Sequence, residues 1–167
     1  MNTKALHKIS YGLYIVGARK EENLNAQTAN TVVQISADPI SIAVSINKQN
    51  LTHEYIRSGG HLAISVLEQE TPLSMIGKFG FKSGRDTDKL SDTSYSLTDN
   101  GLPYLTENTL AYLEAKVITE MDASTHTIFL GQVSAAEVLK DGAPMTYSYY
   151  HQVKRGTTPS TAPTYQK

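Results

Sequence analysis

The 167-residue sequence has no cysteine. That absence removes disulfides, thiolate metal sites, iron-sulfur clusters and a cysteine nucleophile together, and it agrees with a reducing compartment. A surplus of one charge is also lacking, since 15 lysines and arginines stand against 16 acids for a net charge of −1. No overall field then favours nucleic acid or an anionic membrane, and any anion site must be local. Long apolar runs are missing too. Residues 1–20 carry Lys4, Lys8, Arg19 and Lys20 and hold nothing long enough for a signal peptide or a membrane span. The expectation is a soluble cytoplasmic protein without a nucleic-acid or membrane partner.

Signatures of side-chain catalysis are equally scarce. The glycines are spaced neither as a Walker loop nor as a dinucleotide fingerprint. His7, His53, His61, His126 and His151 show no metal-ligand spacing, and no serine occupies a nucleophile elbow. No metal site is expected, and a hydrolase has nothing to stand on.

What is present is a strand pattern in a chain of single-domain length. Ile40, Ile42, Val44 and Ile46 alternate with small residues, a period of two that predicts a strand over 40–46, with a neighbour over 32–36 broken from it at Asp38-Pro39. Residues 61–67 (HLAISVL) form a third strand by the same reasoning. Further strands are predicted over 12–18, 110–118 and 127–133, the last continuing over 135–139 after a bend. Two helices stand out. One has Thr52 at its cap and the pair Gly59-Gly60 at its stop; the other has Thr71 at the cap, Pro72 at the first helical position and Gly80 at the end. Leu73, Ile76 and Phe79 give the second helix one apolar face. Many short strands with few, brief helices predict a mainly β chain, an antiparallel barrel or sandwich. Residues 1–153 are expected to form the domain. The remainder, 154–167 (KRGTTPSTAPTYQK), reads as an extended C-terminal arm of the kind a partner subunit often holds.

Three polar stretches are candidate sites. Asn25 to Asn30 (NAQTAN), expected between two strands, offers amides and a hydroxyl without net charge, which suits the edge of a neutral heterocycle, although taken alone the stretch reads more simply as a turn. Residues 45–52 (SINKQNLT) end a strand and open a helix, whose free N-H groups can take a phosphate or simply be capped by Thr52. In residues 78–90 (KFGFKSGRDTDKL), Gly80, Ser83 and Gly84 let backbone N-H groups approach an anion that Arg85 can clamp; the same loop can be plain solvated surface. His126 precedes an apolar run and can face a pocket or sit as a satisfied edge histidine. Tyr147, Tyr149 and Tyr150 read most simply as packing.

In order and spacing these pieces resemble the flavin reductase-like family, the FMN-binding split barrels. The matching residues are NAQTAN at 25–30, Asp38-Pro39, SINKQNLTHEYI at 45–56, HLAISVL at 61–67, FGFKSGRDTDK at 79–89 and HTIFLGQV at 126–133. YHQVKRGTTPSTAPTY at 150–165 is similar to the tail of flavoredoxin-like members and of flavin reductase domains associated with rubredoxin or flavodiiron proteins. Without cysteine to bind a rubredoxin iron, the chain resembles a stand-alone version whose acceptor is a separate molecule.

The resemblance implies an antiparallel split β-barrel and a homodimer with one FMN per subunit near the interface. Asn25, Ala26, Gln27, Thr28 and Ala29 would border the isoalloxazine ring. Ser45, Ile46, Asn47 and Lys48 would line ring and ribityl chain, with Phe79 and Gly80 in the same cofactor set. Asn50, Thr52, Ser83, Gly84 and Arg85 would hold the phosphate. His126 would be the catalytic residue, placing nicotinamide or settling a proton, although Thr125 stands where many relatives have an aspartate. The tail would lie across the dimer or over the flavin pocket. The implied activity is hydride transfer from NADH or NADPH to FMN, with electrons passed to flavin or to a redox partner, a separate rubredoxin-like or other electron-acceptor protein. Two other readings are an electron-transfer flavoprotein with little NAD(P)H activity and a flavin-binding module without turnover.

Overall fold

Ile42, Val44 and Ile46 are buried on one face of a strand, β4 (Ile40–Asn47). It is part of a seven-stranded antiparallel sheet that the computed structural model describes within residues 2–165. The other members are β1 (Tyr14–Lys20), β2 (Asn23–Ala29), β3 (Val32–Ala37), β5 (His61–Leu67), β8 (Thr109–Ala123) and β9 (His126–Val138). A small hairpin, β6 (Tyr95–Leu97) with β7 (Pro103–Leu105), forms a separate two-stranded sheet packed on the large one through Leu105, whose N-H donates to the Ser65 hydroxyl at 2.9 Å. Three α-helices, α1 (Leu51–Gly59), α2 (Leu73–Phe81) and α3 (Tyr147–Gln152), and a short 3-10 helix over Thr3–Lys8 complete the described residues. None of the helices is long and apolar enough to cross a membrane.

The strand order is β2-β1-β5-β8-β9-β4-β3. Ala29 of β2 and Val44 of β4, near opposite ends of that order, nevertheless share one core with Phe129 of β9 and Ile56 of α1. The sheet must therefore curl to bring its ends together. Its two edges, β2 and β3, are consecutive in the chain and do not pair, so the barrel stays split between them. A second core packs Leu13, Ile15, Ala26 and Leu67 against Ile76 and Phe79 of α2 and Tyr150 of α3. Lying between the two cores, β1 is buried on both faces, which explains why it shows a continuous apolar run instead of alternation.

Several elements depart from the sequence expectation. The stretch 25–30 is no connection, since residues 23–29 form edge strand β2; its polar side chains conceal a strand because they face a cavity rather than a core. β1 starts at Tyr14 rather than at Gly12. β8 runs on to Ala123 and β9 is one strand, paired across register shifts at Glu114/Ala115 and Val117/Thr119. The extra length projects beyond the core, where no hydrophobic alternation marks it. Helix α1 begins one residue before Thr52, with Asn50 at the cap position, and Pro72 rather than Thr71 occupies that position in α2. The Thr71 hydroxyl donates instead to the Glu68 carbonyl at 2.7 Å. Gly80 lies inside α2, which continues to Phe81, and Leu73 is exposed. The expected glycine stop does hold for α1, where Gly60 is left-handed (φ 67°) and its N-H reaches the Ile56 carbonyl at 2.8 Å. The hairpin β6–β7 and helix α3 had no counterpart in the sequence reading. Of the expected arm, residues 154–165 form neither helix nor strand, and Gln166 and Lys167 lie outside the described residues.

Candidate functional site

A cavity of about 270 Å³ opens beside the split, bounded by β2, α2, the first turn of α1 and the paired ends of β4 and β9. Asn25 faces it from β2, and its amide donates to the Thr52 hydroxyl at 2.7 Å, tying the edge strand to α1. Gly84 packs so closely on Asn25 that a Cβ there would collide with the amide oxygen. Thr28 donates to the Ile76 carbonyl at 3.0 Å and fixes β2 on α2. No side chain caps α1; the Asn50 and His53 N-H groups donate to the Asn47 and Asn50 carbonyls, each at 3.1 Å, which leaves the N-H groups of Leu51 and Thr52 as the donors at the cavity wall. The Oε1 of Gln27, a buried cavity-lining residue, has no hydrogen-bond partner. An orphaned buried acceptor costs free energy unless a ligand donates to it.

Lys89 lines the same cavity and is 4% exposed. Its ammonium donates to the Lys82 carbonyl at 3.2 Å and lies 5.9 Å from the centre of the Phe79 ring; among the described residues no carboxylate pairs with it. Burial pushes its pKa down to about 8. A desolvated cation with a single neutral acceptor is the electrostatic counterpart of the orphaned Gln27 oxygen, and together they describe a site built for a ligand that carries an anion and a donor. Sequence reasoning passed over Lys89, because a lysine in a polar loop gives no sign of being buried.

The structure brings Asn25, Gln27, Thr28, Ala29, Ser45, Asn47, Asn50, Thr52, Phe79, Gly80, Ser83, Gly84 and His126 around this cavity. Four other predicted residues do not line it. Ala26 and Ile46 point into the two cores. Lys48 pairs with Asp122 at the tip of β8. Both terminal nitrogens of Arg85 reach Glu54 Oε2 at 3.4 Å, and Glu54 also takes Lys20 at 2.7 Å. That exposed cluster lowers the Glu54 pKa, chiefly through Lys20, and turns Arg85 away from the cavity lining.

His126 sits opposite Asn47 in the β4–β9 register. Its Nε2 is 3.1 Å from the Thr161 carbonyl and its Nδ1 is 2.9 Å from the Thr125 hydroxyl. A carbonyl only accepts, so Nε2 carries the proton and Nδ1 accepts from Thr125. Burial lowers the His126 pKa against the opposing pull of that carbonyl, which keeps the ring neutral near pH 7. Thr125 therefore sets the tautomer with a hydroxyl rather than a charge. The Thr161 carbonyl belongs to the C-terminal arm, which lies over the cavity of its own chain and, with Tyr147 and Tyr150 of α3, lines it. The resemblance left the arm either across a dimer or over the pocket, and it takes the second course here; no periodicity pointed to α3 as a wall, because its role follows from where the chain returns.

Residues 6–158 match the model of the flavin reductase like domain family. The chain is 62% identical over 165 residues to the high molecular weight rubredoxin of Moorella thermoacetica, which covers 99% of this chain and 72% of that protein. It is 44% identical over 165 residues to the ferric-chelate reductase (NAD(P)H) of Archaeoglobus fulgidus, covering 99% of this chain and 98% of that one. Its fold superposes on an FMN-binding protein from Thermus thermophilus, solved with bound 1-cyclohex-2-enone. There the TM-score is 0.73, the identity 27%, and the coverage 80% of this chain and 73% of the other.

The buried lysine has a measurable cost. Displacing its pKa from 10.5 to about 8 corresponds to about 3 kcal/mol held against the ligand-free fold. Below pH 8 folded and unfolded chains both bind the proton and the cost is full. Between pH 8 and 10.5 the folded chain releases a proton that the unfolded chain keeps, so stability rises with pH there. Ligand-free Lys89→Met should therefore be more stable than the parent in urea melts at pH 7, with the difference shrinking towards pH 10; a parent already as stable as the variant at pH 7 contradicts the buried cation.

Proposed function

The chain belongs to the flavin reductase-like family, and from that premise we propose that it is an NAD(P)H-dependent oxidoreductase holding FMN in the cavity beside the split. The observation that carries this reading is the buried, unneutralised Lys89 ammonium lining the same cavity as the start of α1, which no side chain caps. Lys89, the backbone of Ser83 and Gly84 and the first N-H groups of α1 would bind the phosphate. The free oxygen of Gln27 would accept from the imide N-H of the ring. When bound, FMN supplies the hydride- and electron-accepting chemistry. Phe79 and Tyr150 keep water from the inner wall, and the Asn25–Thr52 hydrogen bond sets the spacing between β2 and α1. Arg85, engaged by Glu54, holds the loop rather than the anion.

The rest of the reading rests on relatives and on surface chemistry. The ferric-chelate reductase (NAD(P)H) supports NADH or NADPH as donor, and the high molecular weight rubredoxin supports a separate rubredoxin-like acceptor protein. The lack of cysteine supports a cytoplasmic setting. A homodimer is supported by an apolar outer face. Val33, Ala43 and Leu130 align across β3, β4 and β9, and Ser45, Ile128 and Met121 align across β4, β9 and β8. Val33 is 53% and Met121 59% exposed, and the face runs on from Ser45 at the cavity wall. One observation favours the electron-transfer alternative: the donors of Asn47 and His126 are both engaged by the arm rather than free for nicotinamide.

The purified chain should show two flavin absorption bands that bleach promptly without oxygen on adding NADH or NADPH. Bands that resist both nucleotides favour electron transfer with a protein donor, and a chain that cannot be loaded with FMN ends the proposal. Lys89→Met should weaken FMN binding by about 1.5–3 kcal/mol, roughly tenfold to a hundredfold in Kd, and Arg85→Ala by much less; the reverse ranking would return the phosphate to Arg85. Sedimentation should give a dimer that Met121→Asp shifts towards monomer. A monomeric parent removes the dimer from this reading.

A further inference from the structure

The arm is firmly built at its base and lightly held at its far end. At the base, Arg155 is left-handed (φ 58°), the Gly156 N-H reaches the Tyr150 carbonyl at 2.9 Å, and His151 Nδ1 lies 2.9 Å from the Gly156 carbonyl. Tyr150 donates its hydroxyl proton to the Thr157 carbonyl at 2.8 Å, and a Cβ on Gly156 would strike the Tyr150 ring. Helix α3 thereby dictates the direction in which the arm leaves. Thr158 then meets the Tyr147 hydroxyl at 2.5 Å, and Pro159 and Pro163 stiffen the crossing.

Beyond Pro159 the hold is side-chain polar contacts. The Thr161 carbonyl accepts from Asn47 Nδ2 and from His126 Nε2, each at 3.1 Å. The Thr164 hydroxyl takes the Asn30 amide at 2.9 Å and contacts the Tyr147 hydroxyl at 2.8 Å. These contacts span the end of β2, the end of β4 and the start of β9, the region where the barrel is split. No residue of 154–165 is buried, so no apolar anchor locks the crossing in place. A cavity remains beneath it, lined on one side by Lys89 and Gly84 and on the other by Pro159, Thr161 and Pro163. The arm is a wall of the site and does not fill it.

We propose that residues 159–165 are a latched lid, fastened at the Thr161 carbonyl by Asn47 and His126, that retains the flavin between turnovers. The flavin is then a resident group and electrons leave the protein without it, rather than a substrate released after reduction. This rests on the reading that the cavity holds FMN. In this role His126 is a positioning residue, acting through the arm, with Thr125 fixing the tautomer that donates to the latch.

The test is the FMN dissociation rate, followed by the return of free-flavin fluorescence after dilution of the loaded protein. It is measured for the intact chain, for a chain ending at Thr158, and for Thr164→Val, which keeps the arm but removes its two hydroxyl contacts. The shortened chain should still load with FMN and release it about tenfold faster or more, and Thr164→Val several-fold faster. Unchanged release from both variants overturns the lid. Tighter binding by the shortened chain also overturns it, since that result makes the arm a plug. An intact chain that takes up no FMN overturns the underlying reading and this inference with it.

Discussion

The hydrogen bond from Asn25 to Thr52 is the contact on which the rest of the site depends. It joins a polar edge strand, which has a paired neighbour on only one side, to the first turn of the helix that follows β4. It takes up the Thr52 hydroxyl just inside the helix, whose cap residue Asn50 makes no side-chain cap hydrogen bond. Gly84 can approach Asn25 in that position only because it has no Cβ. One buried contact of about 1 kcal/mol net thus sets the relative places of β2, α1 and the loop carrying Ser83 and Gly84.

Electrostatics divides the basic residues of that loop into two roles. Arg85 is half-exposed and shares Glu54 with Lys20, an arrangement worth little energy in water but sufficient to orient a loop. Lys89 is desolvated, has no carboxylate, and keeps its charge at neutral pH against the pull of burial. The larger unfavourable energy lies with Lys89, so an incoming anion gains most there. Strength of charge in the sequence is the same for both; the difference is the access of water.

The open barrel explains why a flexible-looking tail has a fixed place. A sheet that curls without closing leaves the ends of β2, β4 and β9 with polar side chains and no strand to cover them. Asn30, Asn47 and His126 find partners in Thr164 and Thr161. The tyrosines of α3, which in sequence suggested packing alone, both pack and direct this return: Tyr150 is buried in a core while its hydroxyl holds the turn into the arm.

Where apolar periodicity and burial coincide, as in β4 and β5, the strands were legible from residue type alone, and so were the stop at Gly60 and the existence of both longer helices. The mainly β class followed from them. β2 was not legible as a strand, because its amides face a cavity and break the alternation that marks a half-buried strand; the same amides were legible as a site. The outer part of β8 stands clear of the core and carries no pattern. Residue chemistry by itself determined what the protein excludes, what its strands are made of, and which polar stretches had to be explained. Only the tertiary structure decided that Lys89 is buried while Arg85 is paired outside, and which of the two courses implied for the arm it takes, over the cavity of its own chain. Desolvation and chain return depend on what surrounds a residue from distant parts of the sequence, and local pattern does not contain that information.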